Sequence, residues 1–387
     1  MNAIWPQTSY VAQSYSVEIA SDLDAVRPQW EALENQGTPF QKRPWLLPWF
    51  RVLGPKFGAT PLFVTVREET TRRPLMLFPL CLRRWRGLRT IEFPDLDVSD
   101  YNMALTAEDF HPTRDEINAI WRQIRRALPA ADFVRFDKVP SVALGRDNPL
   151  ALLDWVKPME TRAWLLDLPA SKADYDDKIL TKKARKENRR KRKNLAEAVG
   201  DFQLVHASTP EEGREIFETM RAERRARFGM ANILERPAFR EFYQSVIFDA
   251  WGPFTRLSAL EAGGKILATL FAIRQPDEYL LIIHSFEPDL ESLSPGIVAI
   301  DEMIGDRIAA GDRYFDFTVG NEGYKKQFGV HPMTMVEGLD PLSVLGRLYV
   351  YAFPKARRAK QALGRLYRNT RARLTPAKAP PPGPAAG

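Results

Sequence analysis

The chain has 387 residues, 44% hydrophobic and 27% charged, with a formal net charge of +7; this is the make-up of a folded protein with room for two domains, and it excludes global disorder. A single cysteine, Cys81, rules out an intramolecular disulfide and a cysteine metal cluster, and the four histidines (His111, His206, His284, His331) lack zinc-ligand spacing, so no metal is expected. No apolar run reaches the roughly 18 residues of a membrane span, and Met1 to Tyr15 holds no basic stretch leading into an apolar one, so a cytoplasmic protein is expected, with an anionic partner for its positive charge.

Tyr15, Val17 and Ile19 alternate as in a strand, and Ser21-Asp22 opens a helical pattern through Trp30 and Leu33. The proline-bounded aromatic stretch from Pro39 to Phe50 precedes two strands, over 61–68 and 74–83. Ser99-Asp100-Tyr101-Asn102 lies in the connection that follows, before a helix over 113–127 and a strand over 133–136. Together these form a first α/β unit, assigned to residues 1–160.

A strand over 161–168 leads into a segment with ten cations, from Lys178 to Lys193, against the single acid Glu187. Its few apolar positions, Ile179, Leu180, Ala184, Leu195 and Val199, leave a narrow buried stripe on a very basic helix that Gly200 ends. Next come a strand over 202–206, a helix opened by Ser208-Thr209-Pro210-Glu211-Glu212, and a second helix over 237–248. Strands over 255–262 and 265–274 join through Gly263-Gly264, a hairpin signal. A strand over 278–286, a helix over 296–310 and a strand over 314–318 complete a second unit, residues 161–341. Residues 342–374 read as a basic amphipathic segment and 375–387, rich in Pro and Ala, as a disordered tail. The fold class is α/β: two units of mixed, mostly antiparallel sheet flanked by helices.

Three stretches carry a family resemblance: the basic helix from Leu180 to Leu195, Ser294-Pro295-Gly296 opening a helix after a strand, and Phe315-Asp316-Phe317 with Gly320 and Tyr324-Lys325-Lys326-Gln327-Phe328-Gly329. With the element order, they make the second half resemble the CelD-like (BcsL-like) acetyltransferases of the GNAT class, distant relatives of the Fem aminoacyltransferases. Weaker echoes, Pro39-Phe40-Gln41 with Trp45, Phe78-Pro79-Leu80 and Ser99-Asp100-Tyr101, extend it over Val17 to Pro341. The resemblance implies tandem GNAT-like halves, the first degenerate and shaping the acceptor cleft. It implies acetyl-CoA or another acyl-CoA as co-substrate, and a role in exopolysaccharide, cellulose or cell-envelope metabolism.

The chemistry asks for a base, an oxyanion donor and an acid for the departing thiolate. Tyr324 is the candidate acid and Asp316 the candidate for orienting or deprotonating the acceptor. Lys325 would steady an anion, and His284 is an alternative base. Each also has a plain structural reading: Asp316 as the polar side of an alternating strand, Tyr324 as a packed aromatic, His284 as a satisfied core histidine, Lys325 as half of a solvated pair. Ser294, Gly296, Ile297 and Val298 would cradle a pyrophosphate at a helix start. Arg185, Arg189 and Arg192, with Asp100 and Tyr101, are the candidate substrate contacts. The acceptor is expected to be a small molecule or a glycan- or lipid-linked group, with peripheral contact to an anionic membrane at the inner face. Nucleic acid, as tRNA, enters only under a Fem-like alternative, and a non-catalytic interaction protein is the third reading.

Overall fold

Two mixed sheets built on one plan divide the chain in the computed structural model, which describes residues 15–249 and 251–352. The first holds β1 (Tyr15–Ala20), β2 (Thr60–Glu68), β3 (Pro74–Trp85), β4 (Leu88–Glu92) and β5 (Phe133–Pro140). The second holds β6 (Ala163–Asp167), β7 (Phe202–His206), β8 (Thr255–Ala262), β9 (Lys265–Gln275), β10 (Glu278–Phe286) and β11 (Tyr314–Val319). The last strand, β12 (Met335–Pro341), returns to the first sheet.

The spatial orders are β1-β2-β3-β4-β5-β12, extended by Val156–Pro158, and β7-β8-β9-β10-β11-β6, extended by His331–Met333. In each sheet the fourth and fifth strands are parallel (β4 with β5, β10 with β11) and the pairs before them antiparallel. A parallel pair needs a crossover, and helices α3 (Arg114–Ala127) and α7 (Pro295–Ala309) supply it. Between first and second strands lie α1 (Arg27–Leu33) and α2 (Arg43–Pro48) in one half, α5 (Pro210–Phe228) and α6 (Pro237–Phe248) in the other. The basic helix is α4 (Lys182–Val199).

Local chemistry explains most boundaries. Thr113 with Glu116, and Thr209 with Glu212, form complete capping boxes. Gly263 and Gly264 both take positive φ, 56° and 78°, as the tight β8–β9 turn requires. Sequence patterning missed β4, only five residues long, and β12 altogether. That strand places 335–341 in the first sheet, across the expected 160/161 boundary, where Asp340 accepts from the Trp121 indole at 2.8 Å and from Arg125 at 2.6 Å. The main core also spans both halves, with Trp45 packed edge-on against Phe242 at 5.1 Å.

Of the expected C-terminal segments, only residues through 352 are described, and 344–352 are helical; the remainder of 342–374 and all of 375–387 lie outside the described residues. Among the described residues no helix is long and apolar enough to cross a membrane, and no group of three or more His, Cys, Asp or Glu is placed to hold a metal ion.

Candidate active site

β10 and β11 pair at Glu278/Tyr314, Tyr279/Phe315 and Leu280/Asp316 and then separate. β10 continues to Phe286 with β9 on its other edge, bulged at Ile282, while β11 keeps β6. The split leaves one edge of β10 without a strand partner, so its amide and carbonyl groups face a cleft instead of a ladder. That cleft, about 600 Å³, is walled by Leu281, Ile283, His284, Phe286 and Phe317, with Arg224 and Arg227 at one side and Tyr324 and Lys325 at another.

A second cavity of about 490 Å³ lies between the halves. Side chains alternate along a strand, so Leu280 and Asp316 line this chamber while their neighbours Leu281 and Phe317 line the cleft. The first half contributes Thr38, Pro39 and Tyr101, and Glu278, Asp277 and Gln275 come from the β9–β10 turn.

Asp316, 1% exposed, is the junction. The Tyr101 hydroxyl stands 2.8 and 2.7 Å from its two oxygens, and the Thr318 amide donates to it at 2.6 Å. Burial pushes the Asp316 carboxyl up to about 7, against the opposing pull of these donors. Glu278, half-buried nearby, is raised to about 8 by desolvation and by the Asp316 charge. The two titrate as a pair. Asp100 is raised to about 6 by burial, while Lys138 and the Thr318 hydroxyl draw it down.

Thr318 connects these groups: its amide serves Asp316, its hydroxyl Asp100, and its carbonyl lies 3.4 Å from Lys325 Nζ. It does so at φ 58°, a conformation a β-branched residue adopts at a cost of roughly 1–3 kcal/mol. The Lys325 ammonium is buried, 3.0 Å from Glu322 and 3.4 Å from the Val319 carbonyl, so the solvated-pair reading is corrected.

His284 and Tyr324 meet edge-on with ring centroids 5.2 Å apart inside the cleft. Burial, then Arg224, Arg227 and Lys325, push His284 down to about 4, so it is neutral and a weak base at pH 7. Burial raises Tyr324, so it keeps its proton.

Ser294, Gly296 and Ile297 line the cleft, at the start of α7. Val298 does not: it is 3% exposed in the core, because the fourth helical position turns inward. The amides of Ile297 and Val298 already donate to the Ser294 carbonyl at 3.0 and 3.2 Å, which leaves the expected cradle with fewer free donors. Gly296 is needed for packing, since a Cβ there would stand 2.9 Å from Phe286.

The basic helix does not reach either cavity. Arg185 pairs with Asp177, Arg192 with Glu302, and Arg189 is exposed on the outer face. Asp100 and Tyr101, in contrast, are delivered to Asp316. Glu278, Thr318, Arg224 and Arg227 escaped the sequence reading. A glutamate after Gln275-Pro276-Asp277 reads as turn polarity, and two arginines on a charged helix carry no signal of a cleft.

Residues 182–326 match the family model described as an acetyltransferase (GNAT) domain. No curated protein matches the chain. Among solved structures, FemX is similar with a TM-score of 0.57 at 10% identity, over 86% of this chain and 98% of that one. A conserved protein of unknown function from Bacteroides thetaiotaomicron VPI-5482 is similar with a TM-score of 0.51 at 12% identity, over 84% of this chain and 100% of that one. The chain therefore shares the FemX fold, two mixed sheets flanked by helices, and residues 182–326 of its second half resemble an acetyltransferase (GNAT) domain.

Proposed function

We propose that the protein transfers an acyl group from an acyl-CoA held in the β10/β11 cleft to an amine that enters through the chamber between the halves. The observation that carries this reading is the split of β10 from β11 at Leu280/Asp316, with a cavity on each face and Asp316 between them. The cleft residues fit the donor. The free β10 edge suits the amides of a pantetheine arm, Leu281, Ile283 and Phe317 suit its apolar parts, and Arg224 and Arg227 suit phosphate.

A coenzyme A thioester would supply an activated acyl carbon. Asp316, oriented by Tyr101 and the Thr318 amide, takes a proton from the acceptor ammonium, whose freed nitrogen forms the new C–N bond. Tyr324 gives its proton to the sulfur as the C–S bond breaks, and the second proton shed by the acylated nitrogen restores the phenol. Lys325 Nζ donates to the Thr318 and Val319 carbonyls and so stands beside the Asp316 turn. The acidic lining of the chamber, Asp277, Glu278 and Asp316, supports a cationic acceptor over an anionic one. The resemblance of the Phe315-Asp316-Phe317 and Tyr324-Lys325 stretches to CelD-like proteins supports an acceptor from exopolysaccharide or cell-envelope metabolism.

The test is release of free thiol from acetyl-CoA in the presence of primary amines, alcohols or neither, with aminoacyl-tRNA as a competing donor. Amine-dependent release that Asp316→Asn abolishes is the expected result; turnover with aminoacyl-tRNA alone would transfer the donor role to tRNA and refute the acyl-CoA assignment.

A further inference from the structure

The positive charge of this chain is concentrated at its end. From Pro341 to Gly387 there are ten Lys and Arg and no Asp or Glu, more than the net +7 of the whole, so the first 340 residues carry −3. The described start of that segment, helix 344–352, is fixed to the first sheet. Tyr349 stacks on Phe133 at 5.3 Å and meets Trp85 edge-on at 5.9 Å. The Gly346 amide donates to Ser343, whose hydroxyl donates to Asp132 at 2.8 Å. A Cβ at Gly346 would collide with the Asp132 carbonyl, so this glycine permits the close approach.

With Gly346 and Tyr349 turned inward, the outer face ought to be polar, as on an ordinary surface helix. Instead it presents Val344, Leu345, Leu348 and Tyr351, 73%, 54%, 64% and 79% exposed. Cations flank this stripe: Arg347 on the helix, and Arg86 on the β3–β4 turn, where it lies over the Trp85 ring at 4.7 Å. Among the described residues neither of the two pairs with a carboxylate. The nearby acid, Asp132, is engaged by Ser343 and by the Arg89 amide.

We infer that helix 344–352 and Arg86 beside it form a docking face for an anionic lipid surface, the apolar stripe entering the acyl boundary and the two arginines meeting the headgroups. Charge decides between occupants. A second copy would set the same cations against each other, and residues 353–387 add nine more cations and no acid, so neither neutralises the face. A nucleic acid would satisfy the arginines and gain nothing from four exposed apolar side chains. A lipid surface satisfies both. This inference is independent of the acyl-transfer reading.

The test is cosedimentation of the full-length chain with vesicles of phosphatidylcholine, alone or with a quarter phosphatidylglycerol. The chain is expected to bind only the anionic vesicles and to be released by about 0.5 M NaCl. Leu345→Glu/Leu348→Glu should bind at least about tenfold more weakly, with an unchanged melting temperature because both side chains are exposed. Arg86→Glu, on a different element, should weaken binding by a similar factor. Absence of binding to anionic vesicles, or undiminished binding by both variants, overturns the inference, as does tight binding of a duplex oligonucleotide without any binding of lipid.

Discussion

Asp316 is held by groups that reach it from three directions: Tyr101 from the first half, the Thr318 amide from its own strand, and the charge of Glu278 across the β10/β11 pair. Removing its charge, Asp316→Asn, should lower kcat about 100-fold or more, measured as amine-dependent thiol release, with little change in acyl-CoA affinity. A comparable loss of both would assign it to binding. The same carboxyl must be ionised to act as a base, so kcat/KM should rise through an apparent value near 7 to 8. Glu278→Gln removes a like charge and should move that rise to lower pH. The stability effect has the opposite sign. Both carboxyls bind protons more tightly folded than unfolded, so stability declines as pH rises from about 4 through their raised values. Glu278→Gln should therefore stabilise the protein at pH 8, by on the order of 1–2 kcal/mol, and not at pH 4. At this scale the motif Phe315-Asp316-Phe317 and Tyr324 were legible because they fall in contiguous stretches. Glu278 and Thr318 were not, since their roles arise from a parallel strand pairing and from a left-handed backbone turn.

Elements were legible wherever the signal is local. The Thr113 and Thr209 caps, the Gly263-Gly264 turn and the Gly200 stop all stand where the residues place them. Two outcomes depend on distant contacts instead. β12 alternates like any strand, yet its partner is β5, some two hundred residues earlier, fixed by Trp121 and Arg125 on Asp340. The basic helix α4 reads from sequence either as a binding surface or as a solvated face, and in the fold Arg185 and Arg192 are tied to acids of the same half. On its inner face, Asn188 is buried and, among the described residues, neither its side-chain oxygen nor its nitrogen has a hydrogen-bond partner. Replacing it by a leucine removes an unpaired polar group, so Asn188→Leu should raise stability by roughly 1–2 kcal/mol in urea unfolding. A loss of that size would mean that the amide has a partner the packing does not disclose.

For the whole molecule, the return of β12 to the first sheet and a shared core make the two halves one folding unit. The first half completes its sheet only with β12, and Trp45 buries its ring against Phe242 of the second. Residues 1–160 expressed alone should be insoluble or unfolded, because the β5 edge and the Trp45 cluster would be exposed. Coexpression with the remainder should restore a soluble complex, judged by gel filtration and circular dichroism. The same arrangement sets the central claim, that donor and acceptor approach Asp316 from opposite faces of the split pair. Calorimetric titration of acetyl-CoA into the wild type, Ile297→Trp, which fills the β10/β11 cleft, and Val142→Trp, which fills the chamber, tests it most directly. The account predicts binding in the wild type and in Val142→Trp, and at least about tenfold weaker binding in Ile297→Trp. Binding lost in Val142→Trp and retained in Ile297→Trp would contradict it.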